Sequence, residues 1–330
     1  MRYNFQMAKK ILLVVPFASA FAGPISKALQ EMGHTVSLFD YRKGNFTTRF
    51  LGTISNHLNI EKTKTLSTFL IQNQLKSLAT HWKPDIILIM KGETISPETV
   101  YHLRRNATIV NWYPDWMVLW DWVKLHAPAY SYFFTMCQDL ARHVKNINPN
   151  TAYIPPAAEP DEKLSRKTKK YPISFVGQYS ERREMYLNEI KDLGLHLWGY
   201  QGWRTSSLKN LAQAEVSYEQ TLEILRQTKI TFNILTGSDT FQPKAINNRT
   251  FETLGVGTFL LVHRTSLLKY YFTEGQDFAT FTTPADLRRK MQYYLKHERE
   301  RNNIALHGWN TIKQKHLYTH RLQHMLKKLI

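Results

Sequence analysis

The sequence predicts an α/β protein of two Rossmann-like domains, each a parallel sheet covered by helices on both faces. Three observations lead there. Apolar runs of strand length recur along the chain, separated by amphipathic helical stretches, as expected for strands buried on both faces. The alternation stops once, at the charged, proline-containing segment PPAAEPDEKLSRKTKKY from Pro155 to Tyr171, and then begins again. A length of 330 residues suits two domains better than one.

The elements follow in order. KILLVVP from Lys10 is a continuous apolar run that predicts the first strand. With Lys9 and Lys10 before it and AFA ahead of Gly23, the run also has the look of a signal-peptide core. GPISKALQEMGHTVSLFDY, however, reads as an amphipathic helix and a second strand, which makes the run a buried strand, and it is too short to span a bilayer. LSTFLIQNQLKSLATHW predicts a helix, DIILIMKG from Asp85 a third strand, and SPETVYHLRR a helix capped by Ser96 with Pro97 in its first turn. TIVNWYPD from Thr108 is a fourth strand, YSYFFTMCQDLARHVKN a strand and helix, and TAYIPPAAEP a strand entering the linker. Domains are therefore expected at residues 1–158 and 159–330. In the second, PISFVGQYSERREMYLNEI is strand then helix, HLWGY from His196 a strand, and VSYEQTLEILRQTKITFNIL a helix feeding a strand. NNRTFETLGVGTFLLV gives a helix, a glycine turn and a strand, and residues 284–330 are helical in pattern.

Composition narrows the function. The single cysteine, Cys137, excludes a disulfide framework and a multi-cysteine zinc site, and it points to a reducing, cytoplasmic compartment. The chain carries 44 Lys plus Arg against 26 Asp plus Glu, a net charge of +18. A field of that size favours polyanions or an anionic surface. With no helix-turn-helix, zinc-finger or RNP-like pattern, nucleic acid is not the expected partner. The basic excess is densest at the end of the chain, which suits peripheral association with the anionic inner face of a membrane. His316, His320 and His324 recur every four residues, but no carboxylate joins them, so no metal site is expected. A P-loop, a GxGxxG, a GxSxG elbow and a DxD are all missing from the sequence.

Two segments of the second half could hold a phosphate-bearing ligand. In FVGQYSERRE a strand ends at Gly177 and a helix opens with Arg182 and Arg183, aiming backbone N–H groups and two guanidinium forks at one spot. The alternative is pairing of these arginines with Glu181 and Glu184 on an exposed helix. In NNRTFETLG, Arg249 and Glu252 share one helical face. A carboxylate there can accept two ribose hydroxyls while the arginine neutralises phosphate; the alternative is an intrahelical ion pair. In the first half, KGE at Lys91–Glu93 and NWYPD at Asn111–Asp115 sit at the C-terminal ends of predicted parallel strands, the edge where such sheets bind ligands. Glu93 or Asp115 is a candidate general base, with an ordinary cap or turn role as the alternative. Trp112, Tyr113, Trp116, Trp120 and Trp122 form an aromatic cluster suited to sugar faces or lipid headgroups, or else to interdomain core packing.

Beyond those residues, the series FVGQYSERR, NRTFETLGVGTFLLV, YYFTEGQDFATF and YYLKHERERNNIALHGWNTIKQKHLYTHRLQHML resembles the CgeB-like (spore maturation protein) glycosyltransferases of the GT-B superfamily. DIILIMKGETISPETV, NWYPD and YIPPAAEP extend the resemblance loosely into the first half. The resemblance implies the GT-B fold, two Rossmann-like domains facing each other across a cleft, with the final helix packing back on the first. It also implies metal-independent transfer of a sugar, with no cofactor. The donor would be a nucleoside-diphosphate sugar, UDP-sugar in the first instance, and the acceptor a glycan, lipid-linked or protein hydroxyl. Glu252 would bind the ribose, and Arg249 with Arg182 or Arg183 the phosphates. Retaining GT-B enzymes often carry two glutamates in this segment; here Lys244 stands eight residues before Glu252, so only the second is present. The rival readings are a nucleotide-sugar-binding protein that does not catalyse, and a basic nucleic-acid-binding protein.

Overall fold

The structure, a computed structural model, describes residues 7–43, 61–164, 169–199, 201–234 and 246–329. The chain divides into two compact units, residues 1–155 with 318–330, and residues 156–317.

In the first unit β1 (Lys10–Val14), β2 (Thr35–Phe39), β3 (Ile86–Met90), β4 (Thr108–Tyr113), β5 (Tyr132–Thr135) and β6 (Thr151–Tyr153) form one sheet in the order β2-β1-β3-β4-β5-β6. Every pairing is parallel. The inner strand IILIM is buried along its whole length, whereas the edge strand TVSLF is half exposed. A continuous apolar run and a mixed one thus report central and edge positions respectively. Between the strands run α1 (Ala22–Glu31), α2 (Glu61–Trp82), α3 (Pro97–Arg104), α4 (Trp120–His126) and α5 (Gln138–Val144). Ser96 Oγ accepts from Thr99 N at 3.3 Å to cap α3, with Pro97 in its first turn.

The second unit repeats the plan. β7 (Tyr171–Val176), β8 (Leu195–Trp198), β9 (Ala212–Gln213), β10 (Thr228–Asn233), β11 (Phe259–His263) and β12 (Ala279–Phe281) lie in the order β12-β11-β10-β7-β8-β9, again all parallel. Its helices are α6 (Glu181–Ile190), α7 (Tyr218–Arg226), α8 (Asn248–Gly255), α9 (Pro284–Lys296) and α10 (Glu298–Lys315). α7 starts with a full capping box, in which Ser217 Oγ accepts from Gln220 N at 3.2 Å and Gln220 Oε1 accepts from Ser217 N at 2.8 Å. The segment before β7 is strapped to this unit rather than loose. Asp161 takes a two-pronged contact from Arg226 at 2.7 and 2.8 Å, and its carbonyl accepts from Trp309 Nε1 at 3.1 Å.

The last helix, α11 (Tyr318–Lys327), belongs to the first unit, where it packs on α1 and buries Leu322, Met325 and Leu326. Tyr318 meets the edge of Trp112 at 6.2 Å. Among the described residues no helix is long and apolar enough to cross a membrane.

Strand order creates one switch point in each sheet, between β1 and β3 in the first and between β7 and β10 in the second. There, successive connections leave in opposite directions and open a crevice at the strands' C-terminal ends. α8 fills the second unit beside its switch point and is held from behind by α10. At Gly308 of α10 a Cβ would lie 2.5 Å from the Asp277 carbonyl oxygen and 2.9 Å from Leu254 Cδ2 of α8. Asp277, itself 2% exposed, accepts from Thr273 N at 2.6 Å, and from Thr311 Oγ1 and His307 Nδ1 at 2.7 Å each. Gly308→Ala gains about 1 kcal/mol of helix propensity but overpacks a backbone contact at ~1–3 kcal/mol. The expected outcome is a lower Tm, by about 2–4 °C for each kcal/mol lost, in a thermal unfolding scan. An unchanged or raised Tm would show that α8 and α10 are not in close contact here.

Candidate functional site

Around the second switch point the chain gathers Gly177, Arg182, Arg183, Arg249 and Glu252. β7 delivers Gly177, whose carbonyl accepts from Trp203 Nε1 at 2.8 Å and whose N–H donates to the Trp198 carbonyl at 3.0 Å. A Cβ on Gly177 would sit 3.2 Å from the Phe175 ring and 3.6 Å from Arg183 Nη1, so glycine keeps the approach to that guanidinium open. Ser180 caps α6 through Arg183 N at 3.2 Å, fixing both arginines in its first turn.

The two arginines differ. Arg182 Nη2 lies 3.2 Å from His263 Nε2, at the end of β11. Arg183 spans the switch point itself, donating through Nη1 to the Gln178 carbonyl at 2.8 Å and through Nη2 to the Ile234 carbonyl at 3.3 Å. Among the described residues its buried Nε has no hydrogen-bond partner. Burial and the nearby Arg249 charge pull the Arg183 guanidinium down to about 10. Two cations that repel each other in a shielded place mark a site for an anion.

α8 supplies the rest. Its N-cap, Asn247, does not cap the helix with its side chain; instead it exchanges hydrogen bonds with Asn233, the last residue of β10, at 2.5 and 3.1 Å. Thr250 Oγ1 accepts from Asn233 Nδ2 at 3.0 Å. Among the described residues no side chain caps the opening N–H groups of α8, although Thr250 N–H donates to the Asn247 carbonyl at 3.2 Å. One turn on, Glu252 is 6% exposed, and among the described residues its carboxylate accepts no hydrogen bond. Arg249 Nη1 stands 3.5 Å from Glu252 Oε2 without hydrogen-bond geometry and is itself a buried, unpartnered donor. Burial raises the Glu252 carboxyl above its ordinary value, and the Arg249 charge offsets part of this. The i,i+3 pair expected from the sequence therefore exists but is open on both sides. Lys244 lies outside the described residues.

Sequence reasoning missed Tyr218, in the first turn of α7. Burial first, then the charges of Glu252 and Glu159, push its hydroxyl above the ordinary tyrosine range, with Arg249 pulling the other way. Its signal was present, an aromatic directly after the Ser217 of a Ser-x-x-Gln capping box, but only the fold brings α7 beside α8.

The first unit's candidates meet at its own switch point. Glu93 follows β3 and accepts from Tyr41 OH at 2.5 Å and from Arg42 Nε at 3.0 Å, with Arg42 Nη2 also on Oε1. Burial alone would raise its carboxyl, but these bonds outweigh it and hold Glu93 below the usual range. Asp115 pairs with Lys91 Nζ at 2.8 Å and keeps 40% of its side chain exposed. The aromatic cluster divides between the alternatives. Trp112 and Tyr113 are wholly buried because β4 is covered on both faces, so Trp112 is core, its Nε1 donating to the Ile154 carbonyl at 3.4 Å. Trp122 stacks between Tyr113 at 5.7 Å and His126 at 4.1 Å. Among the described residues no group of three or more His, Cys, Asp and Glu is placed to hold a metal ion.

The raised Glu252 carboxyl gives a pH test. Above the ordinary value of 4.5 the unfolded chain releases this proton while the folded chain still holds it, so stability falls as pH rises through that window. Glu252→Gln removes the effect. The Tm of the wild type should drop relative to Glu252→Gln as pH goes from 4 towards 7 in ligand-free buffer; a difference that stays flat or reverses contradicts the burial of an unserved carboxylate.

Residues 182–327 match the family described as glycosyl transferase-like. No curated protein sequence matches the chain. Three solved structures are similar along nearly the whole length. Anabaena Alr3699/HepE, solved with UDP and glucose, shares 10% identity at a TM-score of 0.62, covering 97% of this chain and 99% of that one. Sucrose-phosphate synthase of Thermosynechococcus elongatus shares 9% at 0.65, over 97% and 99%. An α-glucosyltransferase solved with UDP and a 13-mer DNA containing an HMU base shares 11% at 0.67, over 98% and 99%. The chain thus has the GT-B fold of these glycosyltransferases, and its residues 182–327 carry the glycosyl transferase-like family match.

Proposed function

We propose that the protein is a nucleotide-sugar glycosyltransferase, moving a hexose from a UDP-sugar to an acceptor hydroxyl, with CgeB-like specificity. One observation carries the reading: a buried carboxylate, Glu252, that accepts no hydrogen bond among the described residues, beside the half-buried guanidinium groups of Arg249 and Arg183, each with one buried nitrogen lacking a partner, at a sheet switch point. Ribose hydroxyls satisfy the carboxylate, and the diphosphate satisfies the arginines and the α8 N–H groups. UDP and glucose in the HepE structure support the choice of nucleotide.

The mechanism follows from charge. As the sugar leaves, negative charge grows on the diphosphate, and cations fixed in place before the reaction stabilise that charge most in the transition state. Arg249 is the main source, because Arg183 spends two donors on backbone carbonyls and Arg182 contacts His263. Transfer is then metal-independent, with the cations meeting the charge that a metal meets in other classes. In the first unit we assign the acceptor base to Asp115 in preference to Glu93, since a carboxylate already held by Tyr41 and Arg42 takes up a proton poorly.

In calorimetry with EDTA present throughout, wild type should bind UDP, and Glu252→Ala and Arg249→Ala should each bind it about tenfold or more weakly, the scale of losing charge-assisted hydrogen bonds. Equal affinity in folded variants would remove the donor site from this place. Binding that appears only when Mn²⁺ replaces EDTA would overturn the metal-independent reading.

The acceptor is a glycan, a lipid-linked carrier or a protein, and we place the enzyme in the cytoplasm, peripheral to the anionic membrane face. The net charge of +18 and the basic run of α9–α11 support this. Each basic residue near such a surface contributes about 1 kcal/mol. The protein should co-sediment with vesicles containing anionic lipid at low salt and be released at high salt. Equal recovery with neutral vesicles would leave the charge as plain surface solvation.

A further inference from the structure

The end of one strand holds two of the groups assigned to the nucleotide. β10 finishes on Asn233, whose Cα pairs with that of Val262 in β11, and Ile234 follows. The Ile234 carbonyl accepts from Arg183 Nη2 at 3.3 Å, so the backbone here fixes the arginine of α6. The Asn233 side chain does the corresponding work for α8. It is 3% exposed, and its Nδ2 donates to Asn247 Oδ1 at 2.5 Å and to Thr250 Oγ1 at 3.0 Å. Its Oδ1 accepts in return from Asn247 Nδ2 at 3.1 Å. Thr250 Oγ1 donates to Asn247 Oδ1 at 3.4 Å, which closes a ring of three side chains.

An asparagine at an N-cap ordinarily serves the first turn of its own helix. Asn247 holds that position with extended backbone, φ −81° and ψ 162°, yet makes no side-chain cap. Its amide is turned to the strand end instead. The first turn of α8 thus gives up a local bond for one to a residue 14 positions back in the chain. What the exchange gains is direction. Phe251 and Leu254 are wholly buried, but apolar contact is non-directional and lets a helix roll about its axis. A closed ring of hydrogen bonds admits one setting.

That setting decides where the charged groups lie. Thr250 and Glu252 are two residues apart, about 200° around a helix of 3.6 residues per turn, so pinning the one to β10 aims the other away from it. Arg249 stands beside Glu252, its Nη1 at 3.5 Å from the carboxylate. A roll of about 20° carries an atom at the ~5 Å outer radius of a helix by roughly 2 Å, more than a hydrogen bond tolerates. We propose that Asn233 is a positioning residue, whose amide sets the rotation of α8 and thereby the places of Arg249 and Glu252 against the nucleoside diphosphate. Asn247 is the receiving half of the same device. The proposal deepens the glycosyltransferase reading and rests on it for the identity of the ligand.

The test is calorimetry of UDP binding in EDTA with wild type, Asn233→Ala, Asn247→Ala and Thr228→Val, alongside thermal unfolding of each. Thr228 opens the same strand at its other end, where it is wholly buried and its Oγ1 donates to the Ile224 carbonyl at 2.6 Å. Thr228→Val therefore loses a buried bond of the same unit without touching the first turn of α8, and it should lower the Tm while keeping wild-type affinity. Asn233→Ala and Asn247→Ala should each bind UDP about tenfold more weakly, the loss of about 1.4 kcal/mol. In the Arg249→Ala background Asn233→Ala should cost about threefold or less, because part of what it positions is already gone. Wild-type affinity in folded Asn233→Ala or Asn247→Ala would overturn the proposal, as would an equal loss in Thr228→Val or a full tenfold loss on top of Arg249→Ala. Should Asn233→Ala not fold, Asn247→Ala, at a half-buried position, carries the same test. A wild type that binds no UDP would sink the donor reading and the proposal together, whereas UDP bound equally by wild type and Asn233→Ala sinks the proposal alone.

Discussion

Parallel pairing of strands that are buried on both faces is the constraint from which the rest follows. Such strands admit no polar side chain along the inner part of the sheet without a hydrogen-bond partner, so chemistry is driven to their C-terminal ends. Both sheets obey this. IILIM of β3 and FLLVH of β11 are buried throughout, and the polar groups of interest begin within one or a few residues of strand ends: Lys91, Asp115, Gly177, Asn233 and His263. Strand order then selects which ends matter, because only at the two switch points do neighbouring connections part and leave space.

The two switch points are built with opposite electrostatics. In the second unit Arg183 and Arg249 repel one another over a single buried carboxylate that neither serves with a hydrogen bond. That arrangement is costly while empty, and a ligand carrying both hydroxyls and negative charge relieves it. In the first unit the cations Lys91 and Arg42 each have a carboxylate, at Lys91–Asp115 and Arg42–Glu93, and the buried polar atoms without a hydrogen-bond partner among the described residues are the neutral Asn111 Oδ1 and the Tyr113 and Tyr130 hydroxyls.

The sites depend on residues that never approach a ligand. α8 holds Arg249 and Glu252 in place because Gly308 lets α10 press against Leu254, and because Asp277 ties α10 to the 273–278 turn through His307 and Thr311.

The amino-acid sequence by itself determined what local physics controls. Apolar run length marked the buried strands, Ser96 was readable as a cap because capping needs only the next three residues, and the face shared by Arg249 and Glu252 follows from helical spacing. Tertiary structure decided what long-range packing controls. Arg42 and Glu93 lie 51 residues apart, and Arg182 and His263 lie 81 apart, so no spacing rule connects them. The tryptophan-rich segment was ambiguous because an aromatic on a strand reads the same facing core or ligand. Strand β4 settled it by burying Trp112 and Tyr113, since a central strand has no solvent face. The surroundings of Tyr218 and of the Tyr113 hydroxyl were hidden for the same reason: whether a polar group is satisfied depends on every neighbour the fold gives it, and one sequence names the group without naming its neighbours.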